Sequence, residues 1–448
     1  MTATTGDART RAKVATPPKP GQATVIPLQT GSQAAPLLWR PLASYYLLLA
    51  STALLLGFGL VMVWSSSYVA STHVSFAVLQ KQVLWVALGA PGLFIASRLP
   101  VKAFRFLAYP ALRGAGVLLL AVFVPGLGVS VNGARRWLAL GGPFTIQPSE
   151  FVKLGMVLWG ADLLARKHKL QTLDSYRRIL IPLVPVSAVV LALIEKQNDL
   201  GTLLVVTTIV LSLLWVIGAP VRLFAGIVVT VTAAVTYLAF SHPYRVDRLL
   251  NFGHPFKDFH HTGWQAGQGI YALGAGGWWG VGLGQSREKW GYLPEAHTDF
   301  IFAIIGEELG LVGTLAVLLL FAVLAYAGIR VAQRSRDTFS RLAASAIVAW
   351  LLVQALVNIG AVIGLLPITG IPLPLISAGG SALLPTMFAL GVLMSLARRE
   401  PSAAAAIAAR GPNIWRRGIH RMAVFLHLDG RRSARAGRSV KPGARGGR

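Results

Sequence analysis

The stretch FIFAIIGEELGLVGTLAVLLLFAVLAYAG, residues 300–328, is apolar along nearly its whole length and holds only two charged side chains, Glu307 and Glu308. A helix that crosses a bilayer needs about 20 consecutive apolar residues, because the hydrocarbon core is about 30 Å thick. The stretch therefore predicts a membrane-spanning helix. Carboxylates inside such a helix are costly unless they face a cavity, a partner or an ion, so they mark it as a candidate functional element.

The overall composition also indicates a membrane protein. Of the 448 residues, 54% are hydrophobic and 13% are charged, whereas an ordinary soluble domain has about 25% charged residues. A net charge of +26 would suggest nucleic-acid binding in a soluble protein, but with a mean hydropathy of +0.61 it indicates basic cytoplasmic segments. The chain has no cysteine, which excludes disulfides, a thiolate nucleophile and Cys-ligated zinc. Catalysis would therefore rely on carboxylates, histidine, hydroxyl groups or a hard cation.

Nine further apolar runs flank the quoted stretch. Because they are long and unbroken rather than alternating, they predict an all-α polytopic membrane protein and not a barrel. We predict ten transmembrane helices with a large extracytoplasmic loop, residues 241–299, between helices 7 and 8. The predicted spans are residues 45–64, 83–97, 106–124, 151–165, 179–194, 200–217, 223–240, 300–328, 342–366 and 382–396.

The orientation follows from the basic residues of the short loops, which concentrate on the cytoplasmic side of membrane proteins. Lys and Arg cluster in the loops at 98–105, 166–178, 222 and 330–341, which places both termini in the cytoplasm. We predict a disordered arm at 1–40, a membrane domain at 41–399 and a basic tail at 400–448. Counted from Arg398, the tail has 13 Lys and Arg and two acidic residues, a net +11. This charge fits either simple orientation and solubility or binding to anionic lipid or an acidic partner.

The densest polar segment is YLPEAHTDFIFAIIGEELG, residues 292–310. Asp299 and Glu307 are eight residues apart, about two helical turns, so the two carboxylates could share one face. Asp299 has two interpretations that the residues alone leave equal. It is either a functional carboxylate or an N-cap that accepts hydrogen bonds from the first turn of the helix.

A second polar cluster precedes the fourth span, at residues 132–153. Ser149 or Glu150 could cap that helix, and Lys153 near its outer end could extend its ammonium group to the membrane surface. The more specific hypothesis is phosphate binding. Arg136 has a planar guanidinium suited to phosphate and Lys153 is a point charge, so together they could hold a pyrophosphate.

Two more segments carry polar or irregular sequence. KQNDLGT, residues 196–202, puts Asp199 at the start of the sixth span, and LPITGIPLPLISAGGS, residues 366–381, is too rich in Pro and Gly to be a regular helix. Such a segment is tolerated at membrane depth only where it packs on protein or lines a cavity. Asn358, inside the ninth span, needs a hydrogen-bond partner, most simply on a neighbouring helix. Walker, GxSxG, HExxH and EF-hand motifs are missing, which disfavours an ATP-driven pump, a serine hydrolase and a zincin.

These segments, in this order, resemble the SEDS (FtsW/RodA) family of bacterial membrane glycosyltransferases, and its division branch more than its elongation branch. Asn198 stands where the family commonly has Pro, and Ala378 where it commonly has Tyr. The polar arm and basic tail are similar in style to actinobacterial members. The motifs that carry the resemblance are GARRW at 133–137, QPSEFVKL at 147–154, DLGT at 199–202, HTDFIF at 297–302, GEELG at 306–310 and TGIPLPLISAGGS at 369–381.

The resemblance implies a peptidoglycan glycosyltransferase that polymerises lipid II for septal wall synthesis and releases undecaprenyl pyrophosphate. It implies Asp299 as the catalytic base, with a divalent cation, Mg²⁺ or Mn²⁺, whose ligands are unknown. The implied partners are a class B penicillin-binding protein transpeptidase (FtsI type) and FtsQ, FtsL and FtsB, in a plasma membrane and at the division septum. A lipid II flippase or transporter and a noncatalytic scaffold remain alternatives. The implied substrate-binding residues are Arg136, Trp137, Lys153, Glu295, His297, Arg245, Ser377 and Gly379.

Overall fold

A computed structural model describes residues 40–67, 72–131, 134–141, 144–170, 180–240 and 263–409. By internal contacts the chain divides into Met1–Arg40 and Pro41–Arg448, and the described helices and strands belong to the second unit. The predictions for the N-terminal arm, for most of the basic tail and for Arg245 lie outside the described residues.

The described elements are mostly helices. The first three, α1 to α3, are followed by three strands, β1 to β3, and then by α4 to α12. The helices are α1 Ala43–Ser67, α2 Thr72–Arg98, α3 Val101–Ala121, α4 Pro148–Lys169, α5 Leu183–Glu195, α6 Leu200–Val216, α7 Val221–Phe240, α8 Trp264–Gly276, α9 Ile301–Arg334, α10 Thr338–Val362, α11 Leu383–Ala397 and α12 Pro401–Ala409. The strands are β1 Gly128–Val131, β2 Ala134–Gly141 and β3 Phe144–Ile146.

The helical membrane class is confirmed for the described part of the chain. Six helical segments there are long and apolar enough to cross a bilayer: Ala43–Ser67, Phe76–Arg98, Val101–Ala121, Ile301–Arg334, Thr338–Val362 and Gly380–Ala397. The other four predicted spans lie on α4, α5, α6 and α7. Of these four, α5 and α6 are shorter than the six segments, and α4 is more polar.

The core forms where α10 and α11 are covered by other helices. Trp350 on α10 is fully buried, and α10 packs against α6, α9 and α4. The most extensive contact joins α2 to α11, and a glycine permits it, since a Cβ on Gly391 would lie 2.5 Å from the Leu93 carbonyl oxygen. Small residues allow such close approach in membranes, where packing rather than water exclusion holds helices together.

The connection between α3 and α4 contains an antiparallel sheet in the order β1-β2-β3 that the sequence did not predict. Val129 pairs with Trp137, and Leu138 pairs with Ile146. The Phe144 ring meets Trp85 of α2 edge-on, with 6.1 Å between ring centroids. The all-α prediction therefore needs one correction, a small sheet that covers one end of the bundle.

The start of the basic tail also differs from the prediction. Pro401–Ala409 is a helix, α12, whereas the sequence predicts that the basic tail, like the N-terminal arm, is disordered. Glu400 precedes this helix, is buried, and lies 3.6 Å from the Arg334 guanidinium at the end of α9. A carboxylate at a helix N-terminus is favourable, and here it also joins the helix to the bundle.

Candidate active site

Asp299 stands two residues before α9. The N-cap of α9 is Phe300 and has no side-chain cap, so the capping interpretation of Asp299 is wrong. No hydrogen bond reaches the Asp299 carboxylate among the residues that the structure describes. The backbone is held instead, because Asn358 Nδ2 donates to the Asp299 carbonyl oxygen at 2.7 Å and also to the Ile371 carbonyl oxygen at 2.7 Å. The carboxylate is thus placed firmly and left unpaired.

The surroundings of Asp299 raise its pKa to about 7. Burial is the largest cause, and the neighbouring carboxylates of Glu295 and Asp199 act in the same direction, while the Arg136 guanidinium partly opposes them. Desolvation and like charges both disfavour the ionised carboxylate. A side chain with a pKa near the ambient pH is well suited to take up a proton during a reaction.

Arg136 reaches this corner from β2. Its Nε donates to the Gln197 carbonyl oxygen at 3.1 Å, and its Nη2 donates to the Asn198 carbonyl oxygen. Arginine has five N–H donors, so three are not used by these two contacts. The guanidinium therefore links the sheet to the start of α6 and keeps donors for a ligand. Trp137, the next residue, is half-buried in the same strand.

Asn198 has a backbone conformation that proline could not adopt. Its φ is 58°, in the left-handed region, whereas proline fixes φ near −65°. Asparagine is one of the few residues that tolerate this region. The turn before α6 is thus locally different from what the family's common Pro would give, and it presents the carbonyl group that binds Arg136.

Asp199 is a second carboxylate at the site, one that the sequence reading did not count among the site residues. It is the N-cap of α6, where its Oδ1 accepts a hydrogen bond from the Thr202 backbone N–H at 3.0 Å. Its Oδ2 accepts from Gln147 Nε2 at 2.9 Å and from Ser149 Oγ at 3.4 Å. The sequence signal for this residue is an Asp just before an apolar run. The fold then brings Gln147 and Ser149 to its carboxylate.

Lys153 lies inside the bundle and not at the membrane surface. It is fully buried, its Nζ is 2.6 Å from Glu150 Oε2 and 2.9 Å from Gln354 Oε1, and it faces the Trp350 ring at 5.2 Å. The surface-anchoring interpretation is therefore wrong. The N-cap of α4 is Gln147, without a side-chain cap, so the capping roles of Ser149 and Glu150 are wrong too. Contact between Lys153 and a pyrophosphate stays a prediction.

The irregular loop at 366–381 closes the site on another side. Ser377 is buried and its Oγ accepts from the Leu373 N–H at 2.7 Å, so its hydroxyl holds the loop together. The loop meets the Asp299 segment where the Ala378 N–H donates to the His297 carbonyl oxygen at 3.0 Å. A Cβ on Gly370 would be 3.5 Å from Asp299 Oδ2. Gly379 is the residue after Ala378, and its N–H donates to the Ser377 carbonyl oxygen at 2.7 Å.

Glu295 and His297 complete the segment that carries Asp299. Glu295 is exposed, has a φ of 56°, and accepts a 2.6 Å hydrogen bond from Thr298 Oγ1. Burial lowers the pKa of His297, and the Glu295 charge partly offsets this, so the imidazole is favoured in its neutral form. The described residues contain no group of three or more His, Asp or Glu side chains that could hold a metal ion.

Glu307 and Glu308 do not join this site. The Glu307 carboxylate accepts from Ser286 Oγ at 2.5 Å and from the Arg287 backbone N–H at 2.8 Å. Glu308 accepts from Ser65 Oγ at 2.5 Å and pairs with Lys289 Nζ at 3.4 Å. The predicted shared face with Asp299 is replaced by contacts to Ser65 of α1 and to residues 286–289.

The fold and the site together define a helical multi-pass membrane protein with one unpaired, poorly solvated carboxylate between an arginine and an irregular loop. The chain belongs to the FtsW/RodA/SpoVE family of cell cycle proteins, whose model matches residues 46–402. The expected family is thereby confirmed.

Two curated relatives illustrate the similarity. The chain is 46% identical over 375 residues to the probable peptidoglycan glycosyltransferase FtsW of Mycobacterium tuberculosis, covering 83% of this chain and 71% of that protein. It is 38% identical over 355 residues to the stage V sporulation protein E of Bacillus subtilis, covering 79% and 96%.

Two solved structures are also similar. One, from work on the coordination of polymerization and crosslinking by a peptidoglycan synthase complex, has a TM-score of 0.66 and 28% identity, and the match covers 79% of this chain and 97% of that one. The rod shape determining protein RodA of Thermus thermophilus has a TM-score of 0.60 and 27% identity, with 79% and 96% covered.

Proposed function

We propose that this protein is a peptidoglycan glycosyltransferase that polymerises lipid II into glycan strands during cell division. The observation that carries the proposal is the environment of Asp299. Its side chain does not cap α9, its pKa is raised to about 7, and the charge of Arg136 acts on it. Relatives of the same family that are 46% identical are named probable peptidoglycan glycosyltransferases. The name states the chemistry, and the geometry supplies a group that can perform it.

In the proposed reaction Asp299 accepts the proton of the sugar 4-hydroxyl of the acceptor lipid II. The resulting oxygen attacks the anomeric carbon of the growing chain, a new C–O bond forms, and the bond from that carbon to the pyrophosphate breaks. Undecaprenyl pyrophosphate leaves with the bonding electrons. A single displacement needs no enzyme nucleophile, which agrees with a chain that has no cysteine.

Arg136 is proposed to stabilise the leaving pyrophosphate. Three of its N–H groups are not used by its contacts to Gln197 and Asn198, and a guanidinium suits two phosphate oxygens at once. Those two backbone contacts hold the guanidinium in place before substrate arrives. Preorganised charge of this kind costs little reorganisation in the transition state.

A divalent cation is proposed as a companion of the pyrophosphate. Mg²⁺ is usually held by one or two carboxylates together with substrate phosphates, a pattern that needs no three-ligand protein cluster. Glu295, which is exposed on the segment before α9, is the carboxylate best placed to contribute, while Asp299 stays free to act as the base. When bound, the cation would neutralise phosphate charge. Polymerisation that continues unchanged in excess EDTA would remove the cation from the proposal.

The proposed topology has ten transmembrane helices, with the loop at 241–299 between the seventh and eighth on the extracytoplasmic side and both termini in the cytoplasm. This arrangement puts Asp299 on the outer side. The described chain carries no domain that could crosslink strands, so we propose a class B penicillin-binding protein as partner, with FtsQ, FtsL and FtsB at the septum. The solved relative in a peptidoglycan synthase complex supports pairing with a crosslinking enzyme.

The test is purified protein in detergent or liposomes with labelled lipid II, alone and with the transpeptidase. Glycan polymer supports the proposal. Translocation of lipid II without polymer would indicate a transporter, and neither product in the presence of the partner would indicate a scaffold.

A further inference from the structure

A second buried polar cluster lies beside a kink in α9, away from the polar groups that surround Asp299. We call it the kink cluster, and its members come from α1, from the outer loop and from α9. Lys289 and Glu308 are its ion pair, 3.4 Å apart, and both side chains are fully buried. The members of the kink cluster are Ser65, Ser286, Lys289, Glu307 and Glu308.

The ion pair of the kink cluster is completed by hydrogen bonds. Lys289 Nζ also donates to the Gly284 carbonyl oxygen at 2.6 Å and to the Ser65 carbonyl oxygen at 3.2 Å. Glu308 accepts from Ser65 Oγ, which in turn accepts from the Gly284 N–H at 2.9 Å. Burying an ion pair is expensive, and a hydrophobic pair of similar size is often as stable. A cluster built in this way therefore calls for a role other than stability.

The kink itself is at Gly310, where φ is 65° and ψ is −160°, and it interrupts the hydrogen bonding of α9. The outer loop takes up the freed groups. The N–H groups of Val281 and Gly282 donate to the carbonyl oxygens of Glu307 and Glu308 at 2.9 and 3.0 Å, and the Leu311 N–H donates to the Gly277 carbonyl oxygen at 2.9 Å. The loop at 277–290 is thus fastened to α9 where its helix is broken.

The kink separates a short first segment of α9, residues 301–309, and Asp299 lies two residues before this segment. Phe300 packs against Gly269 of α8, where a Cβ would meet the ring at 2.8 Å. Gly276 of α8 comes so close to the Gly306 carbonyl oxygen that a Cβ would be 1.8 Å from it. The 301–309 segment therefore packs on α8 along its side, and its C-terminal end is held by the kink cluster through Glu307 and Glu308. We expect a shift of this end to move Asp299 as well.

We propose that the kink cluster is a positioning device for Asp299, with Lys289 and Glu308 as positioning residues that fix the 301–309 segment and, through it, the preceding residues 297–299 that contact the 366–381 loop. This inference rests on the proposed function for its catalytic consequence but not for its structural one. Neither Lys289 nor Glu308 touches substrate in the proposed arrangement. They act through the register of the helix that carries the base.

The first test needs no activity and uses the natural absence of cysteine. His297→Cys and Ala378→Cys introduce two thiols on backbones joined by the 3.0 Å hydrogen bond from the Ala378 N–H to the His297 carbonyl oxygen, so the rate of disulfide formation reports how closely the two segments stay together. The pair is placed in the otherwise unchanged chain and in Lys289→Met, Glu308→Leu and double Lys289→Met/Glu308→Leu backgrounds. Arg287→Met is the matched control, because it removes a positive charge from an exposed side chain of the same loop.

We expect copper-phenanthroline to crosslink the unchanged and Arg287→Met backgrounds rapidly and the three cluster variants several-fold more slowly. The double variant matters most, because it leaves no unpaired buried charge and should fold where the single variants fail to. Equal crosslinking rates in the double variant and the control would overturn the proposal.

The second test measures polymerisation of lipid II by the same cluster variants with His297 and Ala378 intact. Displacement of a catalytic group by about 1 Å can cost about 100-fold, so kcat should fall about 10- to 100-fold while KM changes little. Lys289→Arg should recover part of the loss. The charged groups that face Asp299 are Glu295 of its own segment, Asp199 at α6 and Arg136 of β2.

Better hydration of a displaced Asp299 should also lower its pKa. The acid limb of kcat/KM would then move to lower pH in the double variant but stay in place in the Arg287→Met control. If the double variant keeps both the kcat and the acid limb of kcat/KM of the unchanged chain, the kink cluster has only a structural role. If the unchanged chain makes no polymer at all, the proposed function fails, while the crosslinking result still decides the positioning role.

Discussion

Asp199 and Asp299 both stand just before an apolar helix, yet the fold gives them opposite environments. Asp199 caps α6 and accepts three hydrogen bonds, from Thr202, Gln147 and Ser149. Asp299 caps nothing and its pKa is raised to about 7. The contrast teaches that the partners of its carboxylate decide whether an Asp before a helix is structural or chemical. Two of the three partners of Asp199 lie 50 and 52 positions away in the sequence, where local patterns do not reveal them.

The largest expected effect comes from removing the unpaired carboxylate. Asp299→Asn should reduce lipid II polymerisation about 10²- to 10⁴-fold, because it removes a proton acceptor while keeping size and shape. The assay is glycan strand formation by purified protein, with membrane insertion measured on the same preparation. Asp337→Asn is the matched control, since Asp337 caps α10 through the Ser340 N–H at 3.1 Å. Near-normal polymerisation by Asp299→Asn would make Asp299 a structural residue like Asp199.

A smaller loss is expected when Arg136, whose charge acts on Asp299, is changed conservatively. Arg136→Lys keeps the charge but cannot bond to two carbonyl groups and a phosphate in one plane. We expect kcat/KM for lipid II to fall about tenfold, a transition-state loss of about 1.4 kcal/mol. The matched change is Arg135→Lys, on the exposed neighbour in β2. Equal activity of the two variants would reduce Arg136 to an anchor of the sheet.

The smallest effect should follow from changing the capped carboxylate. Asp199→Ala should lower the free energy of unfolding by about 1 kcal/mol, as loss of an N-cap usually does, whereas Asp199→Asn should nearly preserve stability because asparagine also caps. Thermal unfolding in detergent separates the two, with Asp337→Ala as a second lost cap. A collapse of polymerisation in Asp199→Asn to the level of Asp299→Asn would mean that both carboxylates are chemical.

The sequence predicts some elements well for physical reasons. The spans on α9 and α10 follow from apolar runs that exceed the thickness of the bilayer, and the loop at 366–381 follows from prolines that a helix cannot accept. The sheet at 128–146 was missed because β1 and β3 have only four and three residues, and the eight residues of β2, ARRWLALG, do not alternate between polar and apolar.

Other features depend on contacts between distant segments. The burial of Lys153 depends on Gln354 and Trp350, which lie about 200 positions along the chain from it. The partners of Glu307 and Glu308 depend on a kink at Gly310 and on a loop that returns to it. Helical spacing alone assumed that Asp299 belongs to the helix, whereas α9 begins at Ile301, and therefore assigned the two carboxylates to the wrong surroundings.

The most direct test of the central claim is the pH dependence of kcat/KM for lipid II polymerisation. A base is active when deprotonated, so the rate should rise with pH through the pKa of Asp299, with a midpoint near pH 7, and the residual activity of Asp299→Asn should lack this limb. A midpoint near 4, the ordinary value for an aspartate, or the same limb in Asp299→Asn would contradict the assignment of Asp299 as the base.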